Sequence, residues 1–193
     1  MLRFLIISVF LLSACADRVA SPVVPAALDI GTIRSVFVGT TRLEYPPGTF
    51  SIGRSPNLSL LQVKVSIPPD HTFGEISDGQ DNPQPERDFV IAQRNNFATP
   101  HAFRNALNLE IEKKNAPGRE VTVFVHGFNN SFADGVFRIA QMANDLKLPG
   151  SFVSYAWPSR GNPLGYQYDS DSALFARDGL QELLYNIQGA GTD

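Results

Sequence analysis

The sequence predicts an α/β domain: a mostly parallel sheet with helices on both faces and antiparallel strands on its N-terminal side. Three observations carry this reading. Residues 33–97 hold β-branched and alternating runs separated by Pro-, Gly- and Asp-rich turns. From Thr99 the apolar period becomes helical, and helices then alternate with short continuous apolar runs. Such alternation with short connections implies parallel strands joined by crossovers.

The elements follow in order. Ser35–Arg42 is a β-branched run, Leu58–Ile67 alternates until Pro68 and Pro69 stop it, and Asp88–Gln93 is a third strand candidate. Ser77–Pro85 reads as a solvent loop. Thr99 suits an N-cap and Pro100 the first helical position, with Phe103, Leu107 and Ile111 on one face of a helix to Lys114. Asn115-Ala116-Pro117-Gly118 ends it. Val121–Val125 and Phe152–Ala156 read as strands buried on both faces. Ser131–Leu146 is a second helix, with Asn130 or Ser131 as its cap. Asp171–Ile187 is a third, with Leu174, Leu180, Leu183 and Leu184 broadly on one face.

Composition removes several function classes. The 193 residues are 43% hydrophobic and 18% charged, as a folded domain is, and 14 are Phe. Lys plus Arg number 16 against 19 acidic residues, a net charge of −3, without the clustered basic surplus of a nucleic-acid binder. The single Cys permits no intramolecular disulfide and no Cys-rich zinc site. His71, His101 and His126 show no metal-ligand spacing, so neither a metal nor a cofactor is expected.

Met1–Ala14 reads as a secretory signal: Arg3, then an apolar run too short to span a bilayer. Leu12-Ser13-Ala14-Cys15 resembles a bacterial lipobox, in which Cys15 carries the acyl chains that hold the protein to a membrane. The competing reading of Ala14-Cys15-Ala16 is an ordinary cleavage site, giving a secreted or periplasmic protein. Residues 15–31, with Pro22 and Pro25, make a tether, and the domain occupies residues 32–193. The expected location is the bacterial cell envelope.

Ligands of parallel sheets bind beyond the carboxyl ends of the strands. There, His126-Gly127-Phe128 follows a strand, and Gly127 lets the chain bend sharply and removes a side chain that would block close approach. Backbone N–H groups in this turn are placed to face a developing negative oxygen. The alternative is a plain strand-to-helix turn, with His126 orienting the loop by hydrogen bonding. Trp157 lines an apolar pocket or makes a core contact, and Asp169 and Asp171 read as N-capping residues ahead of the third helix. No Gly-x-Ser-x-Gly elbow occurs, and every His lies at or before position 126.

Together VFVGTTR (36–42), FSIGRSPNLSLLQVKVSIP (50–68), HTFGEI (71–76), the stretch 123–146 and the stretch 152–184 resemble a bacterial group of α/β-hydrolase-fold proteins. That group is described as esterase/lipase-superfamily and is of obscure function. The resemblance spans residues 33–188 and implies an α/β-hydrolase-like fold. It also implies an oxyanion-hole role for the Phe128 N–H, with His126 and Gly127 shaping the turn. The family's next block, a strand entering an Ala-His-Ser-Met-Gly elbow, then an acid and a His, has no counterpart here. Two functions are therefore expected. One is the N-terminal part of a lipid-anchored serine hydrolase, cut short, whose intact form acts on an ester or acyl substrate. The other is a non-catalytic lipid-anchored binding or structural module. On the first reading the fold is incomplete at its C-terminus, the last parallel strand exposes a bare edge, and the chain is poorly soluble.

Overall fold

A computed structural model describes residues 22–79, 82–113 and 120–189. Strands β1 (Thr32–Glu44) and β2 (Phe50–Ile67) form a long antiparallel hairpin, with Val36 opposite Val63. β3 (Val90–Phe97) pairs antiparallel with the other side of β2. Helix α1 (Pro100–Lys113) follows, and the Thr99 hydroxyl accepts the Ala102 amide as its cap. Next come β4 (Val121–Val125), α2 (Phe132–Asp145) and β5 (Ser151–Ala156). β5 lies parallel to both β1 and β4, so the sheet order is β3-β2-β1-β5-β4. The sheet is mixed, two antiparallel and two parallel pairings, because the 18-residue β2 bonds along both its edges.

Alternation along β1 divides the core between the two faces. Val36 and Val38 pack with Val136, Ile139 and Ala140 of α2. Phe37 points the other way, edge-on to Phe103 of α1 at 5.4 Å and in one cluster with Leu107 and Leu183. Helices thus cover both faces.

Four expectations are corrected. The domain begins near Val23 rather than Thr32: Val24 N–H bonds to the Ile91 carbonyl at 2.8 Å, and Ala27, in the 3₁₀ turn Pro25–Asp29, is wholly buried against Val90 and Ala92. Cys15 and the signal segment lie outside the described residues, as does the Asn115–Gly118 stop. β4 is half-buried rather than central, because among the described residues only β5 pairs with it; Val125 is 45% exposed. Among the described residues the open edge on the parallel side therefore belongs to β4, whereas β5, the last of these strands, is flanked on both sides and fully buried. Finally, the last helix is two. α3 (Tyr166–Phe175) and α4 (Arg177–Gln188) meet at Ala176, whose carbonyl also accepts a bond from the Tyr155 hydroxyl of β5. The break rotates the leucines apart: Leu183 is wholly buried and Leu174 is 73% exposed.

Candidate functional site

The turn from β4 into α2 lies at the carboxyl edge of the parallel strands. Its far end is fixed by Ser131, the N-cap of α2, whose hydroxyl accepts the Asp134 amide while Asp134 accepts the Ser131 amide. Its near end is fixed by His126, a buried ring stacked on Trp157 with centroids 5.0 Å apart. The indole N–H of Trp157 donates to the His126 carbonyl at 2.7 Å.

Both imidazole nitrogens face backbone carbonyls, Nδ1 that of Gly127 at 2.9 Å and Nε2 that of Trp157 at 3.1 Å. Desolvation by burial, then the nearby Arg42 cation, pushes the His126 pKa down to about 4. The ring is neutral at pH 7, so only one nitrogen carries a proton and only one of the two carbonyls accepts it. His126 is thus a brace for the turn, with neither nitrogen offered to a substrate. Trp157, 7% exposed, is likewise spent on this stack and on the core with Phe37 and Leu183. It makes a core contact.

Between these ends the amides divide into two groups. Asn129 N–H donates to Asp169 Oδ2 at 3.1 Å, and Asn130 N–H to Ser159 Oγ at 3.1 Å. The Asn130 side chain donates to the carbonyls of Gly127 and Phe128, tying off the inside of the turn. The amides of Gly127 and Phe128 have no partner among the described residues, and both residues are exposed. A Cβ added at Gly127 would meet nothing within 4 Å, so the space over it is open. The sharp bend is made at Asn129, with φ of 60°, and not at Gly127. Asn tolerates this left-handed conformation better than most residues.

The sequence reads Asp169 as a helix cap. It lies instead inside α3, buried, and accepts from Ser159 Oγ at 2.5 Å and Arg160 N–H at 2.7 Å as well as from Asn129. Asp171 lies in the same helix and is exposed. Arg42, near the end of β1, is also buried and donates to the Asn130 carbonyl at 2.8 Å. Burial lowers its pKa to about 10, against the opposing charges of Asp169 and Asp134, so it stays a cation. Two open clefts of about 460 and 490 Å³, lined around Leu60 and Phe97 and around His71 and Phe89, contain no residue of this turn.

A mixed sheet covered by helices on both faces, with a braced turn after a parallel strand offering two free amides, defines a class: proteins of the α/β-hydrolase fold. Residues 99–192 match the family model described as "Alpha/beta hydrolase of unknown function (DUF900)". The match covers the second half of the chain and supports an α/β-hydrolase-like domain of obscure function. No curated protein matches it. No solved structure matches it either.

Proposed function

We propose that the Gly127–Phe128 turn is the oxyanion side of an acyl-transfer site of the serine esterase or lipase type, held at the bacterial envelope by lipid on Cys15. In such a site, fixed N–H donors stabilise the negative oxygen that forms as an acyl carbonyl is attacked. The observation that carries the reading is the contrast in the turn: the Asn129, Asn130 and Ser131 amides are all bonded, while those of Gly127 and Phe128 are free and exposed. Residues 1–193 contain no Gly-x-Ser-x-Gly elbow, so no nucleophile, acid or base is assigned to them.

The test is a butyrate titration of the full ¹⁵N-labelled chain, followed at its backbone amides. Butyrate mimics the carboxylate product, so the Gly127 and Phe128 resonances are expected to shift saturably while those of Val36 and Val63 stay in place. Saturable shifts elsewhere with none at these two would overturn the reading. Treatment with a fluorophosphonate serine probe is expected to label nothing, and labelling abolished by heat would reveal a nucleophile. For the anchor, Cys15→Ala expressed in a bacterial host is expected to leave the membrane fraction, and unchanged partitioning would leave only the secretory reading.

A further inference from the structure

We infer that Asp169, acting through Ser159, is a positioning residue that selects which amides of the turn remain free. The inference rests on the oxyanion reading above for its purpose, although its geometry stands apart from it. An ionised carboxylate only accepts hydrogen bonds. Asp169 Oδ2 receives the Ser159 hydroxyl and the Asn129 amide, and Oδ1 receives the Arg160 amide. The serine has a single proton, and it is committed to the carboxylate. Its lone pairs are therefore left to face the Asn130 amide, which they accept at 3.1 Å. One carboxylate thus sets the direction of a two-step relay and occupies two consecutive amides of the turn.

The surroundings of the turn suit this role. Arg42 draws in the Asn130 carbonyl at 2.8 Å, so both sides of that residue's backbone are held. Asn129 sits at φ of 60°, which Asn tolerates, and the bond to Asp169 fixes its N–H in that bend. Gly161, itself at φ of 65°, brings the chain after Ser159 to within 3.6 Å of the Ser131 amide, counted from where a Cβ would stand. Ser159 is wholly buried and Asp169 nearly so, which leaves no water to replace either. Release of the relay would let the Asn129 and Asn130 amides compete for the same anionic oxygen and let the turn relax out of its bend.

The test uses the full ¹⁵N-labelled chain as wild type, Asp169→Asn and Ser159→Ala, with two readouts: amide hydrogen exchange across residues 127–131 and the butyrate titration. In the wild type, Asn129 and Asn130 are expected to exchange slowly and Gly127 and Phe128 rapidly. In Asp169→Asn the new amide group must present a donor to one side, so either Ser159 together with the Asn129 amide, or the Arg160 amide, loses its acceptor, and in both cases the charge that holds the relay is gone. Ser159→Ala is expected to speed exchange at Asn130, whose acceptor it removes, and Asp169→Asn at both Asn129 and Asn130. Each change should be about tenfold or more, the scale of one hydrogen bond in this relay, with butyrate at Phe128 weakened to match. Val36 and Val63 should keep their shifts and exchange rates, which a general loss of structure would not allow. A folded variant with Asn129 and Asn130 protection and butyrate affinity within about twofold of wild type would overturn the inference. Should Asp169→Asn not fold, Ser159→Ala, which removes one hydroxyl, decides alone. Absence of any butyrate shift at Gly127 and Phe128 in the wild type would remove the oxyanion reading, and the exchange rates alone would then decide the positioning role.

Discussion

Replacing His126 by Gln is expected to flatten the pH dependence of stability between pH 7 and 4.5. The folded ring is buried against Trp157 beside the Arg42 cation, and its pKa falls from 6.5 to about 4. A depressed histidine pKa means that the unfolded chain binds the proton first as pH drops. Stability is therefore whole above pH 6.5 and is lost progressively toward pH 4. A shift of about 2.5 units corresponds to about 3.4 kcal/mol in full, of which roughly 2.5 kcal/mol is lost by pH 4.5. Trp157 is the sole tryptophan and lies on the imidazole itself, so its fluorescence reports unfolding at the right place. Urea melts at pH 7.0, 5.5 and 4.5 should show that loss in wild type and little of it in His126→Gln. Equal slopes in the two proteins would refute the claim that burial and Arg42 hold this ring neutral.

Three other outcomes are expected. Leu183→Ala should lower stability by about 2–5 kcal/mol in urea, whereas Leu174→Ser should change it by less than about 0.5 kcal/mol, because only the first side chain is buried. Gly150→Ala should lower the melting temperature: φ is 83° there, and a Cβ would stand 2.4 Å from the Glu120 carbonyl oxygen. Burial raises the Asp145 pKa, but hydrogen bonds from Gln141, the Gly74 amide, His71 and Asn144 outweigh it and hold the carboxyl well below its ordinary range. Its stabilisation is thus present above about pH 4 and lost as pH falls further, and Asp145→Asn should shallow that acid limb in melts taken from pH 4.5 to 2.

Local chemistry was legible in the sequence wherever the partners are neighbours. The Thr99 and Ser131 caps, the Phe103–Leu107 face and the buried β5 all depend on residues within a turn or two of one another. What stayed hidden depends on distance along the chain. Asp169 reads as a helix cap because its acceptors' partners lie 9, 10 and 40 residues away. A signal was available in Asn162-Pro163, where Asn162 Oδ1 caps the Leu164 amide; it marks a helical start before Asp169 and places that residue inside. Arg42 reads as the polar end of a strand, and only the packing around it reveals a buried cation. An apolar run such as Val121–Val125 has the same composition at an edge as in the middle of a sheet, so its place waits on the strand order.

The packing of the Pro25–Asp29 turn on β3 fixes where the leading chain leaves the domain. That exit lies beside Ile91, at one flank of the sheet, and the His126 turn follows the strand at the other flank. Four strand spacings separate them, roughly 19 Å across. Any attachment made through residues ahead of Val23 therefore pulls on the flank remote from the amides. The turn and the start of the described chain thus load opposite flanks of one sheet, and a pull on the first reaches the second only through all five strands.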